Sequence, residues 1–426
     1  MRVAIQGDIG QPVYHVGDEA MAHAAVAELA ARGVRDVVLL TRDIAHTHAH
    51  FGTHLEAART LTFPWEPVDR ERYLGEIKAV MAGDKDALPP HDQVFAVIET
   101  LRTVDALLIA GGGNMNSRYG WLLYERAAMA HIAIALGKQV VIGGQTIGPR
   151  LSDTDRGTLA NLLRNASLVG LREDHSLALA RELAPGHTGL RTCLDDAVIL
   201  PDPTAPEANV EGIPAGPWIA ATIASPEPGI DRNAAALAYA RLLDAAATHL
   251  DCPIVLLAHM STPGAHDGDE AFHSDIARHL SAPATQPPIM DALTTAALTR
   301  RAGAVVTSRY HPVVFAGAAG IPAVAIAPDE YSHVRLTGAL DRFGLDAPVP
   351  SLADLMDAPT LDPAWLAPLD ADPGAPTDLD AAQAAWWDTV VAALGSTQGR
   401  TAKLARHWMR SRRHDLRRLQ ERVTRR

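Results

Sequence analysis

The chain opens with a change of hydrophobic period that recurs along most of its length. Val3–Ile5 is a short apolar run and reads as a buried strand. Met21, Ala25 and Leu29 then fall at i, i+4 and i+8, one face of a helix that stops near Gly33, before Val37–Leu40 returns to strand. The alternation resumes with strand Asp105–Ala110, helix Trp121–Leu136, strand Gln139–Ile142, helix Ser152–Asn165, strand Leu168–Leu171 and helix Asp174–Leu183. A second series follows. Its strands are expected at Trp218–Ile223, Ile254–Ala258, Ala304–Thr307 and Ala323–Ala327, and its helices at Arg232–Leu250, Glu270–Leu280, Met290–Arg301, Val313–Ala319 and Val334–Phe343. Strands alternating with helices of this length predict parallel sheets covered on both faces. The expected fold is α/β, with two doubly wound, Rossmann-like domains facing each other across a cleft.

These series place an N-terminal α/β domain at 1–200, a Pro/Gly-rich linker at 201–217 and a second α/β domain at 218–345. Residues from about 43 to 100 are long for one crossover and read as an insertion with helices of its own, such as Arg70–Met81. Residues 346–399 read as a surface wrap ending in a helix over Asp380–Leu394, and 400–426 as a basic tail. A composition of 47% apolar and 21% charged residues excludes extended disorder. Cys193 and Cys252, with no CxxC spacing, argue against a disulfide framework or structural zinc and for a reducing compartment. The opening residues lack the apolar core of a signal peptide, and no uncharged apolar run is long enough to span a bilayer. A cytoplasmic protein is expected. The tail holds eleven Lys/Arg against two acids, so the net charge of −12 hides a body near −21. An anionic substrate must therefore find local positive charge in an acidic molecule.

Ligands of open parallel sheets bind beyond the carboxyl ends of strands, so polar residues there are the candidates. Asp18, at the start of the first helix, suits an N-cap or a base that takes a proton from a substrate hydroxyl. Gly111, Gly112 and Gly113, followed by Asn114, would let the backbone approach a ligand closely or simply form a tight turn. Their spacing is neither a dinucleotide fingerprint nor a P-loop. Gln145 and Thr146 offer uncharged groups suited to sugar hydroxyls. Arg172, at a strand end, suits a carboxylate or phosphate, or else a surface ion pair with Glu173 or Asp174. The densest signal is Thr307-Ser308-Arg309-Tyr310-His311-Pro312. Proline belongs in the first turn of the next helix, whose N-terminus favours an anion. Arg309 adds a bidentate fork there, and His311 a group that titrates near neutrality.

The ordered set Gly17-Asp18-x-Ala20, Gly111-Gly112-Gly113, Gln145-x-x-Gly148-Pro149, Arg172-x-x-x-Ser176, Asp195-x-Ala197 and Ser308-Arg309-x-His311 resembles the polysaccharide pyruvyl transferase family. The resemblance spans about residues 1–345 without the 43–100 segment. It implies a GT-B-like fold and transfer of a pyruvyl group from phosphoenolpyruvate onto hydroxyls of a sugar or lipid-linked glycan, giving a pyruvate ketal. In that light Arg309, Arg172 and Tyr310 would hold the donor, with Gly111–Asn114, Gln145 and Thr146 as further contacts. His311 would be the general acid and Asp18 the base. No metal or other cofactor is expected, because arginines can neutralise the leaving phosphate. The sequence departs from the family at Tyr310, where Leu or Met is common. It departs again at Tyr331–Arg335, where the basic residue stands one place later than in the usual Tyr-x-x-Lys.

Three further features enter as expectations. The run His46-x-His48-x-His50-x-x-x-His54 reads as a loop tip of solvated imidazoles, or as an extended metal-binding segment. The basic tail, with Leu404, Trp408, Leu416, Leu419 and Val423 at roughly helical spacing, suits peripheral contact with the anionic inner face of a membrane, or a packed helix with a solvated basic end. No nucleic-acid partner is expected. The rival functions on the same architecture are a nucleotide-sugar glycosyltransferase, using Gly111–Asn114 for diphosphate and Asp329-Glu330 for a ribose or sugar, and a non-catalytic sugar-binding protein.

Overall fold

A computed structural model describes residues 1–201, 203, 210–345 and 347–396. Its first sheet is eight-stranded and parallel. Along it lie Glu56–Arg59, Asp36–Thr41, Arg2–Gln6, Ala106–Ile109, Gln139–Ile147, Leu168–Leu171 and Leu190–Thr192, with Gly112–Met115 added beside Gln139–Ile147. The second sheet is five-stranded and parallel, in the order Ala284–Thr285, Ile254–Leu256, Ile219–Thr222, Ala304–Thr307, Ala323–Ala325. Central strands such as Ala106–Ile109 and Ala304–Thr307 are buried throughout, because helices cover both faces. That is why they appear in the sequence as continuous apolar runs rather than alternating ones. The α/β class and the two doubly wound domains are as expected.

Each sheet reverses its winding at one place. In the first, the chain builds outward from Arg2–Gln6 to one side and from Ala106–Ile109 to the other. In the second, the equivalent pair is Ile219–Thr222 and Ala304–Thr307. Loops leaving such a pair diverge and open a crevice at the carboxyl ends of the strands. The two crevices hold Gly7-Asp8 and Ala110-Gly111 on one side, and Ile223-Ala224 and Ser308-Arg309 on the other.

Three elements tie the domains together. Tyr14–His15 pairs antiparallel with Met260–Ser261 of the second domain. The first two turns of helix Val16–Ala31 then bury Val16, Ala20 and Met21 in one cluster with Val255, Leu257, Ala292 and Val313. Helix Leu379–Gly395 returns to the first sheet, where Trp386, Trp387, Val390 and Leu394 pack on Val3, Ile5 and Leu168. Gln383 on that helix donates to the carbonyls of Asp195 and Asp196, both at 3.3 Å.

Several sequence readings need correction. The strand expected over Gln139–Ile142 continues to Ile147, so Gln145 and Thr146 lie inside it. Gly112 and Gly113 enter a strand rather than a free turn, since Gly112 pairs with Gln145 and Met115 with Ile147. The 43–100 segment is not set apart from the sheet: Glu56–Arg59 pairs in parallel with Asp36–Thr41 as its edge. Its longest helix is Pro67–Met81, which begins at a proline whose missing N–H costs nothing there. The histidine run is neither extended nor a loop tip. Asp43 accepts the amide of His46 and caps a helix over Ile44–Phe51, which puts His46 and His50 side by side, ring centroids 4.2 Å apart, and sends His48 elsewhere. No helix among the described residues is long and apolar enough to cross a membrane. The basic tail lies outside the described residues.

Candidate functional site

The strand Ala304–Thr307 ends in Ser308, and helix Tyr310–Ala319 starts with Arg309 as its N-cap residue. His311 therefore sits in the first helical turn, pointing across the domain boundary. Its ring lies against the backbone of Gly17, where a Cβ would stand 1.9 Å from Nδ1. Glycine at 17 is thus explained by the imidazole it accommodates. Asp18 follows in the first turn of helix Val16–Ala31. It is not the N-cap, which is His15, because the helix begins two residues earlier. Its carboxylate bonds instead to His15 Nδ1, at 3.2 Å.

Three arginines converge on this place, and their partners differ. Arg172 is almost wholly buried and forms no surface ion pair. Its guanidinium meets Asp195, donates to Thr146 Oγ1 at 2.6 Å and lies over the Tyr310 ring at 4.4 Å. Arg309 spends its fork on buried Asp269, with Nε to Oδ2 at 3.2 Å and Nη2 to Oδ1 at 2.5 Å. Asp269 in turn accepts the backbone amides of His259 and Met260. Arg335, from helix Glu330–Arg342, has no carboxylate partner and no hydrogen bond among the described residues, and its Nε is buried. It lies over Tyr331 at 4.0 Å and Tyr310 at 5.5 Å. A Cβ on Gly113 would stand 2.6 Å from Tyr331 Oη and 3.1 Å from Arg335 Nη1, so that glycine admits both side chains.

Several expected ligand contacts are already engaged within the protein. The Gly111 amide donates to Asp196 Oδ2 at 2.8 Å and is not free for a ligand. Burial and the neighbouring Asp195 charge push the Asp196 carboxyl up to about 6. Thr146 bridges Arg172 and Glu173, and Gln145 donates to the Ala110 carbonyl at 2.7 Å. Gln145 Oε1 and Asn114 Oδ1 are left buried without donors. Tyr310 is 5% exposed and serves as a plate under two guanidinium groups rather than an open contact.

His311 Nε2 is buried, 3.8 Å from Asp195 Oδ1 and without a hydrogen bond. Burial is the main cause that holds its pKa down at about 4, with the charges of Arg172 and Arg335 lowering it and those of Asp195 and Asp18 opposing. The imidazole is therefore neutral at pH 7 in the empty site. For Asp18, burial raises the pKa, but the His15 hydrogen bond and the charges of His15, His311 and Arg126 outweigh it and leave the carboxyl below its usual range. Burial lowers His15, and Asp18 and Asp8 raise it further, above its ordinary value. Asp8, His15 and Asp18 bring ligand atoms within 4.8 Å of one another and form the one set among the described residues that could hold a metal ion.

Burial also holds His23 and His273 at about 4 and His259 well below its ordinary value. These imidazoles take up protons near their ordinary pKa only when the chain unfolds. The fold should therefore lose several kcal/mol in sum as pH drops from about 6.5 through 4. Urea titrations at about pH 7 and about pH 5 check this, and equal stability at the two would contradict it.

Sequence reading did not single out Asp269, His259 or His15. His259 directly follows the strand expected over Ile254–Ala258 and was open to the rule that found the others, whereas His15 ends a two-residue antiparallel strand with no local signal. The pairing of Asp269 with Arg309 across 40 residues leaves no local trace.

The family model for polysaccharide pyruvyl transferase matches residues 15–330. A search of curated proteins returns no significant match. Among solved structures, HepE of Anabaena in complex with UDP-glucose is similar at 14% identity and TM-score 0.51, covering 92% of this chain and 98% of that one. S. aureus MnaA with UDP is similar at 9% identity and TM-score 0.51, covering 92% and 95%. A putative UDP-N-acetylglucosamine 2-epimerase of Listeria monocytogenes gives 11% identity and TM-score 0.52, covering 92% and 96%. These likenesses show the fold, which is GT-B-like.

Proposed function

The chain belongs to the polysaccharide pyruvyl transferase family and is a transferase, and we propose that it moves a pyruvyl group from phosphoenolpyruvate to two hydroxyls of a sugar acceptor. The observation that carries this reading is the unpaired Arg335 beside the N-terminus of helix Tyr310–Ala319, with His311 in that same turn. A small dianion with a second acidic group fits such a place, since the helix end and one free guanidinium both attract oxyanions. Arg172 and Arg309 lie nearby, each held by a carboxylate, Asp195 and Asp269, that offsets much of its charge and leaves Arg335 as the cation available to a ligand.

In the proposed reaction His311 gives a proton to C3 of the enol as the first sugar hydroxyl bonds to C2. That hydroxyl's proton passes to the Asp18–His15 pair. The C2–O bond to phosphate then breaks, the electron pair leaves on the phosphate oxygen, and the second hydroxyl closes the ketal as its proton passes to that departing phosphate. Asp18 is ionised and available as acceptor at neutral pH, and His15 holds its carboxylate in place through a 3.2 Å hydrogen bond. His311, neutral in the empty site, gains its proton when the anionic donor arrives, because a nearby negative charge favours the imidazolium. No step needs a metal.

A nucleotide-sugar reading draws on the ligands named for HepE and MnaA. Of the groups it would use, the Gly111 N–H is taken by buried Asp196, while Asp329 and Glu330 form exposed ion pairs with Arg118 and Arg150. Thermal shift separates the two. Phosphoenolpyruvate at about 100 times its dissociation constant should add about 2.7 kcal/mol, and UDP-sugars should add nothing. Stabilisation by UDP-sugars alone would overturn the proposal.

A further inference from the structure

The first domain carries a recess of about 710 Å³, lined by Gln11, Arg42, Thr62, Trp65 and Trp121 among others. It lies past the carboxyl ends of Arg2–Gln6, Asp36–Thr41 and Glu56–Arg59, so much of its wall comes from the 43–100 segment. Trp65 is 64% exposed and opens an aromatic face onto the recess. One of its faces is braced by Trp121, with ring centroids 3.9 Å apart and 25° between planes. The polar groups alongside are neutralised in place. Arg42 bonds to Glu125 Oε2 at 2.5 Å and approaches Asp8 at 3.7 Å, and Gln11 donates to Asp8.

A braced aromatic face beside paired charges is matched to an uncharged ligand with one apolar side and a rim of hydroxyls. Two residues of its wall, Gln11 and Arg42, connect it through Asp8 to the proton-accepting pair. Asp8, which Gln11 and Arg42 both contact, lies within 4.8 Å of His15 and Asp18. We propose that this recess is the acceptor subsite, where Trp65 carries the apolar face of a pyranose ring of the glycan and Gln11 and Thr62 of its wall face the hydroxyls. The inference rests on the pyruvyl-transfer reading for its consequence, but binding of a pyranose can be measured without any donor.

The test is saturation-transfer NMR of the full chain with methyl glucoside, galactoside, mannoside and N-acetylglucosaminide, in the absence of phosphoenolpyruvate. At least one glycoside should bind, Trp65→Ala should weaken it about tenfold or more, and Trp65→Tyr should retain most of the affinity. No binding by any of the four, or binding unchanged in Trp65→Ala, would overturn the subsite. Failure of the donor reading looks different: wild-type protein that binds a glycoside through Trp65 but does not bind phosphoenolpyruvate keeps the subsite and discards the donor. Because Trp65 is exposed, circular dichroism of Trp65→Ala should match wild type, and a change there is read through the Tyr variant instead.

Discussion

Arg335→Ala should weaken phosphoenolpyruvate binding by about 30- to 1,000-fold while the protein remains folded. The size follows from truncating one side of a partly buried charge–charge contact, about 2–4 kcal/mol. The folding side follows from what Arg335 touches: two aromatic faces and no carboxylate, so its loss strands no buried charge. Arg309→Ala is a less clean variant. It would leave Asp269, whose side chain is 0% exposed, without its guanidinium, and would cost fold stability as well as affinity. Calorimetry with phosphoenolpyruvate on both variants, with melting curves alongside, distinguishes these effects. Unchanged affinity in Arg335→Ala would remove it from the donor site. Lysine at 335 should recover part of the loss, because it restores the charge without the planar fork.

His311→Gln should lower turnover by about 10²–10⁴-fold, or about 3–5 kcal/mol of barrier, with a much smaller effect on donor affinity. The anion is held by Arg335 and the helix end, and His311 is asked for proton transfer. The depressed pKa adds a second signature. With the free imidazole at about 4 and the donor-bound one higher, binding at intermediate pH takes up a proton. Donor affinity should therefore fall as pH rises from the free value through the bound value, beyond any change due to the phosphate's own titration. Calorimetry in buffers of different ionisation enthalpy reads that uptake, and His311→Gln should abolish the difference from the phosphate alone. A variant that keeps its turnover and loses only affinity would make His311 a binding residue.

How much of this was legible in the chain varies with the distance over which each feature is determined. Parallel strands announced themselves because both faces are buried. Ser308-Arg309-Tyr310-His311-Pro312 was readable because proline, a strand end and a helix start are local. Asp18 was placed at the right helix but at the wrong position, since no side chain caps that helix and the boundary had no signal. The pairings were hidden. Nothing near Arg172 in sequence says that Asp195 will take its guanidinium, or that Asp196 will occupy the Gly111 amide. Those partners come from crossovers that bring separate strand ends to one crevice. The consequence is a change of emphasis from the two arginines in strand-end motifs to Arg335, on the later helix Glu330–Arg342, which of the three is the one left unpaired.

The account is tested most directly by supplying the enzyme with phosphoenolpyruvate labelled with ¹³C at C2 and with the glycoside or glycan that binds its first domain. The labelled carbon should leave the enol signal and appear as a quaternary ketal carbon on the sugar, with one inorganic phosphate released for each ketal formed. Persistence of the enol signal while a UDP-sugar is consumed and the acceptor gains a sugar residue would contradict it.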